Sequence, residues 1–250
     1  MLNIVVPMAG RGSRFALAGY ALPKPLIPVG GRPMISWVVE NIRPRRPHRF
    51  IFLCLAEHLQ AYPSLPGLLA DLCPDCRIVA VDQVTEGAAC TVLLARVFID
   101  NEDQLMIANS DQFVECSIDR YLTSVETLAA AGLIMTFEAD HPKWSYCRLG
   151  PDGLVREVVE KRVISNVATV GIYNFARGRD FVSAANAMIA ADRRVNGEYY
   201  VAPVYNELIA RGAKVISYSI GAGHRMHGLG TPEDLAAFLE SDFFRARIDP

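Results

Sequence analysis

No excess of charge of either sign marks this chain: 25 Lys and Arg stand against 27 Asp and Glu over 250 residues, a formal net charge of −2. A global electrostatic footprint for nucleic acid or a membrane surface is therefore missing, and neither is expected as a partner. Basic residues gather only at Arg43-Pro-Arg-Arg-Pro-His-Arg49, between a helix-like segment and a strand-like one, where a solvated loop is expected. No apolar run approaches the roughly 18 residues needed to span a bilayer. Met1 leads straight into Leu2-Asn-Ile-Val-Val-Pro7, so no secretory leader is expected and the cytoplasm is the expected compartment. Cysteine is sparse and scattered, six in all, apart from Cys73-Pro-Asp-Cys76. One C-x-x-C without a second pair or nearby histidines is not a zinc framework, and these thiols are read as structural in a reducing environment. Gly/Ser linkers, low-complexity tracts and C-terminal hexapeptide repeats are all missing, which argues for one continuous unit over residues 1–250 rather than an array.

What is present is a 51% hydrophobic composition organised as alternating strand-like and helix-like stretches. Short apolar runs at Ile4–Pro7, Phe50–Leu55, Arg77–Val81, Gln104–Ala108 and Gly132–Phe137 read as buried strands. Helices are expected from Pro33 at a first-turn position to Ile42, from Gly87 to about Val97, and from an N-capping Ser117 to Ala131. The second half adds a hairpin turned at Asp152-Gly153, a longer strand over Ala168–Phe175, and helices over Gly178–Arg193 and Ala202–Arg211. A strand over Lys214–Ile220 follows, and then a helix opened by Thr231-Pro-Glu-Asp234, with Thr as cap and the acids in its first turn. The fold class predicted is α/β, a mostly parallel twisted sheet with helices on both faces.

The chemistry starts where the first strand ends. Pro7-Met-Ala-Gly10-Arg-Gly12-Ser-Arg14-Phe15 is not a dinucleotide fingerprint, because bulky Phe15 replaces the third small residue. It is not a Walker A loop either, since no Lys-Ser/Thr closes it. A glycine turn whose backbone N–H groups can approach an anion remains, reinforced by Arg14 and by Lys24 between Pro23 and Pro25. Arginine offers a planar fork for two phosphate oxygens and lysine a compact charge, a combination suited to a polyphosphate. Asn109-Ser-Asp111 follows another predicted strand and falls at the same sheet edge, where open sheets bind ligands.

With G-x-G-x-R and P-K-P matched by Gly10, Gly12, Arg14, Pro23, Lys24 and Pro25, the sequence resembles the sugar-phosphate nucleotidyltransferases, the group that makes nucleoside-diphosphate sugars. The likeness continues through Asn109-Ser-Asp111, Glu160-Lys161, Ser165-Asn166, Gly171-Ile-Tyr173 and Gly230-Thr-Pro-Glu-Asp-Leu235. It implies a Rossmann-like fold and attack by an acceptor phosphate on the α-phosphorus of a nucleoside triphosphate, with loss of pyrophosphate. Positioning and charge stabilisation, rather than an enzyme nucleophile, would then do the work. On that resemblance Arg14, Lys24 and Lys161 are the expected catalytic cations and Asp111 the ligand of Mg²⁺. Ala9, Gly10, Gly12, Gln83 and Gly87 are expected to hold the nucleotide, and Ser145, Glu160, Thr169 and Gly171 the acceptor. Residues 1–131 would mainly bind nucleotide and 132–250 the acceptor. A surface-polysaccharide or capsule pathway is the expected setting, and homo-oligomer formation stays open.

Two departures qualify the resemblance. Relatives often carry a second metal-binding aspartate two residues before the late Gly-Thr, where Met226-His-Gly-Leu-Gly-Thr231 has Gly228. His141-Pro-Lys-Trp-Ser-Tyr146 stands where relatives often have Tyr-Gly, altering the shape and charge of the acceptor pocket. The acceptor expected is therefore an unusual phosphate, such as a heptose, an alditol or a non-sugar. A cytidylyltransferase of a non-sugar phosphate and a non-catalytic nucleotide-binding relative are the alternatives; a glycosyltransferase is disfavoured because Asn109 breaks the Asp-x-Asp pattern.

Overall fold

The computed structural model describes residues 1–248. Its main sheet has Leu2–Met8 at the centre, flanked in parallel by His48–Leu55 and Gln104–Ala108, with Val5 opposite both Ile51 and Ile107. Arg77–Val81 extends the parallel edge beyond His48–Leu55. On the other side Val167–Phe175 runs antiparallel between Gln104–Ala108 and Gly132–Glu138, and Val215–Ser219 adds a parallel strand to Gly132–Glu138. The predicted hairpin, Ser145–Leu149 and Val155–Glu160, attaches to the first half of Val167–Phe175 through the pairing of Ala168 with Tyr146.

Alternation along each strand divides the core into two layers. Val5, Ile51, Leu53 and Ile107 face one way, towards the helices Ala88–Leu93, Gly178–Ala190 and Tyr205–Ala210. Ile4, Val6, Phe50, Phe52 and Met106 face the other, towards Met34–Ile42, Ser64–Leu72 and Ile118–Thr127. Burial on both faces is why these strands read as continuous apolar runs rather than alternating ones. A third cluster, with Phe15, Trp37, Phe113, Leu235, Phe238 and Phe244, seats the helices Pro232–Leu239 and Asp242–Ile248 against the sheet's carboxyl edge.

The expected elements hold, with local corrections. Pro33 is extended and caps the helix Met34–Ile42 from outside rather than opening it. The helix expected over Gly87–Val97 is broken into Ala88–Leu93 and Arg96–Ile99. Ser117 does cap its helix, accepting the Arg120 N–H at 3.4 Å, but that helix stops at Thr127. Ala202–Arg211 opens as a 3₁₀ turn, Ala202–Val204, before Tyr205–Ala210. A two-stranded sheet of Gln112–Val114 with Met226–Gly228 was not foreseen. The Arg43–Arg49 cluster is tied down: Arg46 pairs with Glu126 at 2.6 Å and Arg49 donates to Asn3 at 2.8 Å. No helix among the described residues is long and apolar enough to cross a membrane.

Candidate active site

Because Leu2–Met8 and Gln104–Ala108 are adjacent and parallel, the turns that leave them emerge side by side. They open into a cleft of about 590 Å³ that runs from these turns to the hairpin Ser145–Glu160. All the predicted site residues line it except two, Gly12 and Gln83. Gly12 packs against Lys24, since a Cβ there would come 3.4 Å from Lys24 Cβ, and it begins the short helix Ser13–Leu17 that carries Arg14. Phe15, which rules out a dinucleotide loop, is fully buried and anchors this otherwise exposed segment. Gln83 is exposed and does not line the cleft; Val84 and Thr85 do.

At the end formed by the two turns, Lys24 Nζ donates to Asp111 Oδ2 at 2.8 Å. Burial pushes the Asp111 carboxyl up, but the charge and hydrogen bond of Lys24, with Arg14 behind it, hold it below the ordinary carboxylate range. The carboxylate is thus charged at neutral pH, and its side chain keeps 23% of its accessibility. Its backbone is fixed from the other side: Leu229 N–H donates to Asp111 O at 2.7 Å. Gly230 makes room for it, since a Cβ there would lie 2.6 Å from Asp111 Oδ2.

The side wall comes from the loop after Arg77–Val81. Gly87 has φ +134 and packs against the backbone of Tyr199, a geometry closed to any side chain. Thr91 Oγ1 meets Thr85 Oγ1 at 2.6 Å, so small and hydroxylated side chains shape this wall.

The hairpin end of the cleft is more deeply buried. Glu160 and Ser145 are paired across the hairpin, and the Ser145 hydroxyl donates to the Glu160 carboxylate. Burial pushes Glu160 up, opposed by that hydrogen bond and by Lys161. Thr169 Oγ1 and Tyr173 OH lie 3.0 Å apart, and burial pushes the Tyr173 phenol up so that it stays neutral. Lys161 has φ +53, an uncommon backbone for a lysine; its ammonium bonds the Tyr200 hydroxyl and sits 4.6 Å from that ring's centroid. Burial works against its charge, but Tyr200, Glu160 and Glu198 together raise its pKa.

Gly171 joins the two ends. Its φ of +94 falls where Val167–Phe175 shifts register, and a side chain there would collide with Asn109 and Gln112. Asn109 N–H donates to Gly171 O at 3.0 Å, tying the Asp111 turn to the acceptor strand.

Sequence reasoning missed Glu198, Tyr200 and Asp234, which also line the cleft. Glu198 and Tyr200 had a signal: Asn196-Gly197 is a tight-turn pair, both residues at positive φ, closing a bridge between Val195 and Glu198. His227 does not line the cleft; its Nε2 lies 2.7 Å from the Glu115 carboxylate oxygen Oε1 and its ring stacks on Phe243.

The donor set suits a hard divalent cation. Asp111 is charged and reachable and already holds a cationic group, and Mg²⁺ is commonly held by one or two carboxylates with phosphate oxygens completing its shell. Among the described residues no group of three or more His, Cys, Asp or Glu is arranged to hold an ion by itself.

Comparison with known proteins places this geometry in context. Residues 4–207 match the family model described as "Nucleotidyl transferase". The chain is 25% identical over 263 aligned residues to the "Bifunctional protein GlmU" of Chromobacterium violaceum, covering 99% of this chain and 54% of that protein. With the GlmU of Methanococcus maripaludis strain C5 it shares 25% identity, covering 69% of this chain and 39% of that one. The chain thus spans about half or less of the length of these curated relatives. Among solved structures, the nucleoside-diphosphate-sugar pyrophosphorylase from Vibrio cholerae RC9 superposes with a TM-score of 0.80 at 24% identity, over 95% of this chain and 100% of that one. A UDP-glucose pyrophosphorylase complexed with UDP-glucose gives 0.77 at 16% identity, over 98% and 99%. These likenesses establish the same fold.

Proposed function

The chain belongs to the nucleotidyl transferase family, and from that premise we propose that its cleft transfers a nucleoside monophosphate from a triphosphate to a phosphorylated sugar or related metabolite, releasing pyrophosphate. The observation that carries this reading is the Lys24–Asp111 pair at 2.8 Å beneath the glycine turn, facing Lys161 across one cleft. Two anions must meet for this reaction, so the site needs cations on both sides of the transferring group.

The residues divide the labour accordingly. Ala9 and Gly10 bring backbone to the triphosphate, Gly87 keeps the base wall narrow, and Arg14 holds the departing pyrophosphate. Lys24 neutralises the α-phosphate at the point of attack. Lys161 draws in the acceptor phosphate, whose ionised oxygen needs no general base. Glu160, Ser145 and Thr169 take the acceptor's hydroxyls. Asp111 would hold Mg²⁺, which when bound supplies charge neutralisation and alignment of the triphosphate oxygens. Residues 1–131 would mainly serve the nucleotide and 132–250 the acceptor.

Lys143 and Trp144 at the acceptor end, with the lysine ammonium 4.6 Å from the indole centroid, favour an acceptor other than a common hexose phosphate, including a non-sugar phosphate used by a cytidylyltransferase. Surface-polysaccharide synthesis is the setting this suits. The test is a matrix of CTP, UTP, dTTP, GTP and ATP against phosphorylated sugars, alditols and non-sugar phosphates, read as pyrophosphate release with Mg²⁺. One pairing should stand out. Nucleotide binding by calorimetry without product from any acceptor would instead support a non-catalytic relative.

A further inference from the structure

We infer that Asp234 is a second metal-facing carboxylate of this cleft, held by Lys143 until the metal and triphosphate arrive. The inference rests on the function proposed above and concerns the same site. It begins from the start of the helix Pro232–Leu239. An acid three residues after a capping threonine ordinarily turns back to accept the cap residue's own N–H, closing a capping box. Half of that arrangement is present, since the Asp234 N–H donates to Thr231 Oγ1 at 3.0 Å. The carboxylate is used differently. It lines the cleft, and its Oδ1 lies 3.5 Å from Lys143 Nζ, an ion pair between the helix Pro232–Leu239 and the loop that leads into the hairpin Ser145–Glu160.

Space has been left for it. A Cβ at Gly228 would lie 3.3 Å from Asp234 Oδ2, so any side chain at 228 would crowd the carboxylate. Two residues on, a Cβ at Gly230 would lie 2.6 Å from Asp111 Oδ2. Two residues of chain span at most about 7 Å. One short backbone segment, Gly228-Leu229-Gly230, therefore has a carboxylate against each of its glycines, one from the end of a central strand and one from the following helix. Gly228 marks a carboxylate supplied from six residues later in the chain rather than one lost.

Both carboxylates are also partnered in the same way. Lys24 holds Asp111 and Lys143 holds Asp234, and both lysines line the cleft. The second pair is the looser, at 3.5 Å and with side chains 46% and 32% accessible, so solvent screens it and little is lost on parting. A divalent cation competes with Lys143 for Asp234, and phosphate oxygens compete with Asp234 for Lys143. Exchange of partners would leave every charge neutralised.

The test uses the full chain and Mn²⁺ as the probe, followed by water-proton relaxation, alone and with inorganic tripolyphosphate. Asp234→Asn should weaken Mn²⁺–tripolyphosphate binding about tenfold while keeping the melting temperature within a few degrees. Lys143→Met should tighten binding of Mn²⁺ alone severalfold by freeing Asp234, and adding Asp234→Asn should erase that gain. Unchanged Mn²⁺ affinity in Asp234→Asn, beside a clear loss in Asp111→Asn, would overturn this inference and leave Asp234 a helix-start residue only. Unchanged affinity in both variants would overturn the proposed function first, and this inference with it.

Discussion

The two ends of the cleft are built on opposite principles. At the end proposed to bind phosphate, the charged groups ride on turns and an exposed loop, and the Asp111 carboxylate is paired with Lys24. At the end proposed to bind the acceptor, Ser145, Glu160, Thr169 and Tyr173 are all buried on strands and bonded in two pairs, Ser145 with Glu160 and Thr169 with Tyr173. On the proposed function, charges that would change partners during turnover stand where rearrangement is cheap, and the groups proposed to take the acceptor's hydroxyls stand where packing fixes them.

That contrast can be broken most sharply at Lys24 and Asp111. Lys24→Ala or Asp111→Ala should each lower kcat at least about 10²-fold, the scale for removing charge stabilisation from a transition state. Normal turnover in both variants, measured as pyrophosphate release, would refute the assignment. At the acceptor end the loss should fall on binding instead: Lys161→Met and Glu160→Gln are expected to raise the acceptor KM about 10- to 100-fold while leaving the nucleotide KM nearly unchanged. Equal effects on both KM values would erase the distinction between the ends.

Between these sites, Gly171→Ala should cost about 1–3 kcal/mol of stability, because alanine would be strained at φ +94 and its Cβ would strike Asn109. Urea unfolding measures this, and a loss below about 0.5 kcal/mol would show that the strand relaxes. Glu160 offers a subtler contrast. Burial raises its folded pKa above the unfolded one, so the folded state holds that proton more tightly. Its favourable contribution is complete below the ordinary carboxylate range and is lost as pH rises through the raised value. Glu160→Gln should therefore melt higher than the parent at pH 7, with the gap closing as pH falls through the raised value into the ordinary carboxylate range. The smallest effect is expected at Arg45, whose side chain is 96% accessible: Arg45→Ala should shift melting by no more than about 1 °C.

Much of this was legible in the residues. Buried strands announce themselves as short apolar runs, and the family motifs pointed to Gly10, Lys24 and Asp111, which the fold brings to one cleft. The family reading held, as did the mixed sheet with helices on both faces. The break after Leu93 was not legible, since Leu94 and Ala95 are ordinary helix formers that carry no local stop. Nor was the pairing of Gln112–Val114 with Met226–Gly228: three-residue strands are too short for periodicity, and partners so distant leave no local trace. Gln83 was chosen for its amide chemistry, but the loop's path decides which side chain faces the cleft, and it presents Val84 and Thr85.

The small sheet of Met226–Gly228 on Gln112–Val114 has a bearing on biogenesis. The family match ends at residue 207, yet the Asp111 turn is clasped by backbone that a ribosome would deliver more than a hundred residues after it. A nascent chain can pair its central strands long before that clasp exists, but the end of the cleft proposed to bind triphosphate would stay unfinished. Nucleotide competence would thus arrive late and abruptly during synthesis, and binding of a fluorescent triphosphate to ribosome-stalled chains of increasing length would time its arrival.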